Sequence, residues 1–161
     1  MKLQSLQLNN FRQFYGKSPV IVFAGDRDRN VTVIHGCNGA GKTALLNAFT
    51  WVLYGAFTRG FLFADRIVNN RAIREAKGGE TVEAWVELRF EDDSRRYILR
   101  KTAQVLRTQD EPGWTLKGEA VSYLQWAGDD GKWNSEDAVG DVVGRILPQD
   151  LHTYFFFDGE R

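Results

Sequence analysis

Gly36, Gly41, Lys42 and Thr43 satisfy the pattern G-x-x-x-x-G-K-[ST], the spacing that cradles the phosphates of a nucleoside triphosphate. The residue types explain the chemistry. Glycines 36, 39 and 41 let the backbone curl its N–H groups around an anion. A helix starting near Lys42 adds the positive end of its dipole at the same spot. Lys42 brings a compact cation to the β and γ phosphates, and the Thr43 hydroxyl can ligate Mg²⁺. The candidate binding residues are therefore Gly36, Asn38, Gly39, Ala40, Gly41, Lys42, Thr43 and Ala44. Asn38 has two readings: a side-chain contact to the γ phosphate, or only tolerance of a left-handed loop conformation. A chance match to the pattern arises in roughly one chain in two hundred of this length. The flanking segments narrow the odds further, because the motif needs a strand before it and a helix after it.

Val31–His35 supplies the strand, apolar enough to be covered on both faces. The helix should run from Lys42 to Tyr54, with Leu45, Leu46, Phe49, Val52 and Leu53 at helical spacing and Gly55 as its stop. Upstream, Leu3, Leu6 and Leu8 mark a short strand that ends at Asn9-Asn10-Phe11-Arg12. Pro19–Phe23 marks a second, and Gly25–Asn30 a charged turn. Downstream, residues 56–79 are irregular, with an aromatic cluster (Phe57, Phe61, Phe63) and then a basic segment (Arg66, Arg71, Arg74, Lys77). Thr81–Phe90 alternates cleanly and turns at Glu91–Ser94 into a partner over Arg96–Thr102. Trp114–Trp126 adds one or two strands. Ser135 reads as the N-cap of a helix over Glu136–Leu147, closed by Pro148, and Leu151–Phe157 reads as a buried strand. The expected fold is α/β: a phosphate-binding layer beside an antiparallel β meander.

With 161 residues and 43% hydrophobic content the chain can build one cored domain. Twenty-one basic and 21 acidic residues cancel, so nucleic-acid contact must come from a local patch or from other parts of a larger protein. Such a patch could be Arg95, Arg96, Arg100, Lys101 and Arg107 on the hairpin, though charges there also serve as a solvated strand edge. The one cysteine, Cys37, leaves no disulfide and suits a reducing cytoplasm. With two histidines it makes no zinc set, and His35 and His152 read as core residues. No apolar run is long enough for a membrane span.

Asn10-Phe11-Arg12 after the first strand, and Gly36-x-Asn38-Gly-x-Gly-Lys-Thr43, together resemble the opening of SMC-type and SbcC-type ATPases. These are ABC-class P-loop heads split by a long coiled coil. The string Phe155-Phe-Phe-Asp-Gly-Glu160 resembles the hallmark of the DndD-type ATPases of bacterial DNA phosphorothioation (DNA sulfur modification). The resemblance implies that residues 1–161 are the N-terminal lobe of such a head, ending at the Q-loop before a coiled coil. It implies ATP and Mg²⁺ as cofactors, with Arg12 beside the nucleotide phosphates. Asp158 stands where the family carries a Q-loop glutamine. A carboxylate there would bind Mg²⁺ more strongly, and Lys42 and Asp158 are the residues implied in catalysis. Glu160 is the lesser candidate for that task, and a plain turn at Asp158-Gly159 is the simpler reading.

The acidic Walker B pair, the catalytic glutamate and the Ser-Gly signature of this family are not found in the chain. The resemblance therefore implies that hydrolysis needs the protein's own C-terminal lobe and a second head engaged through ATP. DNA and further DNA-modification subunits would be the wider partners. Three alternatives remain open on the residues: a DNA-repair ATPase of the SbcC or RecF kind, a small-molecule phosphotransferase on the same loop, and an interaction domain that binds nucleotide only to fold.

Overall fold

The computed structural model describes residues 1–28, 30–58, 66–109 and 113–151. The elements follow the order β1 (Lys2–Asn9), β2 (Ile21–Val22), α1 (Lys42–Tyr54), α2 (Asn70–Glu75), β3 (Thr81–Asp92), β4 (Arg95–Arg107), β5 (Trp114–Leu116), β6 (Val121–Ala127), β7 (Trp133–Glu136) and α3 (Val139–Ile146). A 3₁₀ turn over Gln149–Leu151 follows.

One antiparallel sheet carries the strands in the order β2-β1-β3-β4-β6-β7, with β5 added along β4. Its centre is the β3–β4 hairpin, in register from Thr81↔Leu106 to Asp92↔Arg95. Asp93 and Ser94 close it at φ 44° and 64°, the left-handed pair that a two-residue turn needs to match strand twist. Period-two alternation then decides the faces. Val86, Leu88 and Phe90 join Leu6, Leu8, Leu99 and Leu124 in the core, while Glu87, Arg89 and Arg100 take the open side. There Arg100 and Arg89 both donate to the Glu87 carboxylate.

α1 lies across β3 and β4 on the core side. Nine of its 13 residues are buried, including Leu45, Phe49, Trp51 and Val52, and each such apolar side chain contributes about 1.5–3 kcal/mol. Gly55 ends α1 at φ 71°, its N–H returning to the Trp51 carbonyl. Trp51 packs on Phe11 at 5.3 Å between ring centres, so the segment after β1 is fastened to the helix. A smaller cluster of Val68, Ile73, Val82, Ala84 and Val105 seats α2 beside the sheet.

Several expectations need correction. Val31–His35 forms no ladder: Val31 is 76%, Val33 83% and Ile34 44% exposed, and His35 is exposed too. Nothing among the described residues pairs with this backbone or covers either face. Pro19–Phe23 shortens to a two-residue strand. Ser135 and Glu136 belong to β7, opposite Gln125 and Leu124. The helix therefore starts three residues later, behind Ala138, with no side-chain cap. The hairpin reaches Arg107 and α2 occupies the stretch read as irregular. β4 is a central strand, so its cations are no edge device. They are instead engaged one by one: Arg95 over Trp126, Arg96 over Trp133, Arg100 over Trp85, Lys101 on Ser122, and Arg107 on the Gly113 carbonyl. Leu151 sits in a 3₁₀ turn, where a strand was expected to start. The rest of that strand, His152, Asp158 and Glu160 lie outside the described residues, as do Phe61 and Phe63.

Candidate nucleotide-binding site

The loop between residue 35 and α1 closes on itself. The Ala40 N–H donates to the Cys37 carbonyl at 3.1 Å. A Cβ added at Gly36 would come 3.2 Å from that of Ala40 and 3.9 Å from Lys42 Cγ. A side chain at position 36 would therefore press on Ala40, which would have to give by a few tenths of an ångström. The Lys42 ammonium lies over the loop, donating to the carbonyls of Gly36 (2.8 Å) and Cys37 (3.1 Å). One positive charge is thus set at the loop's mouth by the turn it will serve.

Gly41 is the N-cap of α1, at φ 102° and ψ 14°, and no side chain caps the helix. The first amides of a helix have no partners within it, so those of Lys42, Thr43 and Ala44 are the donors an anion would meet. Lys42 and Thr43 are exposed and Ala44 is buried. Behind them Asn47 is fully buried and fully satisfied. It donates to the Thr43 carbonyl (2.9 Å) and to Thr58 Oγ1 (3.0 Å), and accepts from the Thr58 N–H (2.7 Å). Asn47 fixes the turn that carries Thr43.

These residues fit a triphosphate with Mg²⁺. Glycine-bearing backbone, uncapped helix amides, one ammonium and one accessible hydroxyl form a donor set for phosphate oxygens. A magnesium ion held through Thr43 and phosphate oxygens needs few protein ligands.

Gly36, Asn38, Gly39, Ala40, Gly41, Lys42, Thr43 and Ala44 are contiguous and come together. Arg12 occupies a separate loop, residues 10–16. Its guanidinium donates to the Arg66 carbonyl at 2.9 Å. It lines a cleft of about 470 Å³ with Gln13, Arg66, Asn69, Arg71 and Arg74. What the structure sets against Gly41 is the neighbouring pair. An added Cβ there would meet Gln13 Nε2 at 2.6 Å and Phe14 Cζ at 3.0 Å. Gln13 thus borders both the phosphate loop and the arginine cleft. Sequence reasoning missed Gln13, Phe14, Asn47 and Asn69. Only Asn69 carried a local signal, as an N-cap residue type ahead of Asn70–Glu75.

Glycine loop, uncapped helix and central antiparallel sheet define a P-loop α/β domain with the fold of an SMC ATPase head. A solved structure described as "Structural biochemistry of ATP-driven dimerization and DNA stimulated activation of SMC ATPases" superposes with a TM-score of 0.52. It is 19% identical, with 99% of this chain and 93% of that one covered. Residues 5–157 match the AAA domain family, and the chain belongs to that family. Among curated proteins it is similar to the DNA double-strand break repair Rad50 ATPase of Halobacterium salinarum, 36% identical over 101 residues, which is 63% of this chain and 10% of that protein. It is also similar to the Pyrococcus abyssi protein of the same name, 26% identical over 157 residues, or 94% of this chain and 15% of that one. The chain therefore spans only a tenth to about a seventh of these relatives.

Proposed function

We propose that this chain is the N-terminal, ATP-binding lobe of an SMC-like ATPase that acts on DNA. The observation that carries the reading is the loop at residues 36–44, with Lys42 over its mouth and α1 entered without a side-chain cap. Gly36–Ala44 would cradle the triphosphate, Lys42 would hold the β and γ oxygens, and Thr43 would ligate Mg²⁺. Arg12 would approach the phosphates from the neighbouring loop, and Asp158 would face the metal from the Q-loop position.

Hydrolysis belongs to the assembled head. A C-terminal lobe would supply the acidic residues, and a second head its signature, engaged through ATP and released on hydrolysis. The segment Val31–Ile34, uncovered among the described residues, supports this reading, because exposed Val31, Val33 and Ile34 are what a partner strand from another lobe would cover.

For the DNA process served, Phe155–Glu160 favours DNA phosphorothioation, with further modification subunits as partners. The Rad50 relatives favour double-strand break repair as the second reading. The test uses the full-length protein. Lys42→Ala should abolish both nucleotide binding and ATP-dependent head dimerisation seen by light scattering. Unchanged nucleotide affinity in that variant would remove the proposal. Loss of phosphorothioate from host DNA on deleting the gene would select the first process, and sensitivity to double-strand breaks the second.

A further inference from the structure

Asn69 is a buried side chain that serves two elements at once. Its Oδ1 accepts from the N–H groups of Arg71 (2.9 Å) and Ala72 (3.2 Å), capping α2. Its Nδ2 donates in the other direction, to the main-chain carbonyl of Arg12 at 2.5 Å. The cap alone would explain a serine, a threonine or an aspartate. The second bond needs an amide.

Its recipient is under strain. Arg12 sits at φ 55°, and Asn10 two residues earlier at 45°. Both are left-handed, a conformation that costs an ordinary side chain roughly 1–2 kcal/mol. The loop that contains them is held at both ends. Asn10 and Gly16 exchange bonds, N–H to carbonyl at 3.1 Å and N–H to Oδ1 at 2.8 Å. The segment ahead of α2 runs against its middle: Phe11 bridges Val68, the Arg12 N–H donates to the Ile67 carbonyl (2.7 Å), and the Asn69 N–H donates to the Asn10 carbonyl (2.7 Å). A part-buried carbonyl without a donor is costly, so the Asn69 amide helps to hold Arg12 in its left-handed conformation. Arg12's own side chain reaches the Arg66 carbonyl in the same segment, and Gln13 beside it touches Gly41.

We infer that Asn69 is a positioning residue for Arg12: its amide fixes the left-handed turn that sends the Arg12 guanidinium into the cleft beside the phosphate loop and Gln13, next in the chain, against Gly41. The inference rests on the proposed role of Arg12. Asn69 touches no nucleotide itself and acts through the Arg12 backbone.

The test measures affinity for a fluorescent ATP analogue in the full-length protein with Asn69→Ser, Arg12→Ala, the double variant and Lys42→Ala. Serine keeps a cap acceptor and adds no charge, but cannot span to the Arg12 carbonyl as well. If Asn69→Ser folds poorly, Asn69→Asp, an equally good cap without the donor, takes its place at matched ionic strength. Expected are a Kd raised about tenfold and a thermal midpoint lowered by only a few degrees, the scale of one lost internal hydrogen bond. The double variant should bind no worse than Arg12→Ala alone. Affinity in Asn69→Ser within twofold of the parent, or losses from the two single changes that multiply, would overturn the inference. Arg12→Ala without effect would overturn it together with the role of Arg12, leaving the phosphate loop intact. Lys42→Ala without effect would overturn the loop reading itself.

Discussion

Gly41→Ala tests the joint between the phosphate loop and the segment after β1. The backbone at Gly41 lies at φ 102°, ψ 14°, beyond the left-handed region that non-glycine residues occasionally adopt. An alanine there costs at least the roughly 1–2 kcal/mol of a left-handed residue, offset by about 0.4–1 kcal/mol from the less flexible unfolded chain. The new methyl would also lie 2.6 Å from Gln13 Nε2 and 3.0 Å from Phe14 Cζ. Gln13 can swing away, whereas the Phe14 ring must shift bodily. The expected loss is about 1–3 kcal/mol, or some 2–10 °C in thermal midpoint for a chain of this size. Gly39→Ala supplies the control, since Gly39 sits at φ 81° with nothing within 4 Å of an added Cβ. It should show the backbone cost alone. Urea unfolding of the two variants and of Gly41→Ala/Gln13→Ala separates the contributions, the last regaining part of the difference. Equal stability of Gly41→Ala and Gly39→Ala would refute the contact between Gln13–Phe14 and the loop.

Asn47→Leu keeps bulk but strips the acceptor from the Thr58 N–H, while the Thr43 carbonyl keeps its ladder bond within α1. Destabilisation of about 1–3 kcal/mol is expected by urea titration, the cost of one orphaned group. Burial opposes ionisation of Glu87, yet hydrogen bonds from Arg100 and Arg89 overcome it and hold the carboxyl below its ordinary 4.5. Its stabilisation should be complete above that value and fade as pH falls below it. Glu87→Gln should flatten this part of the acid unfolding curve. Burial pushes the Tyr54 phenol up to about 12, where it donates to the Leu147 carbonyl. Ultraviolet titration should show one tyrosine ionising near that pH and vanishing in Tyr54→Phe, with stability declining between about pH 10 and 12.

What the residues disclosed follows from how local each determinant is. Two glycines bracket α1 and an apolar repeat fills it, so both its ends, Lys42 and Tyr54, were readable. The β3–β4 hairpin was readable through alternation that needs no tertiary help. α2 was not, because six residues with one buried side chain, Ile73, make no periodic signal. Ser135-Glu136-Asp137 resembles a cap and an acidic first turn, but pairing with β6 claimed the first two residues for a strand. The backbone ladder outweighed a local preference worth about 1 kcal/mol. At the site the loop was legible from spacing alone. Gln13 and Phe14 became visible only once the segment after β1 was folded against Gly41, a contact between residues 27 or more positions apart. The arginines of β4 looked like a patch in one dimension. In three, alternation sends neighbours to opposite faces and each finds its own aromatic ring, carboxylate or carbonyl.

The bare stretch at Val31, Val33 and Ile34 has a practical corollary for anyone who handles this polypeptide. Main-chain groups that find no partner among the described residues, flanked by branched aliphatic side chains, are adhesive, so self-association should set in as concentration rises and recede when a complementary polypeptide is co-expressed. Charged replacements at Val31 and Val33, both exposed, should lengthen the shelf life of a purified sample at little cost to the sheet, and the same replacements should spoil whatever cohesion that segment exists to provide.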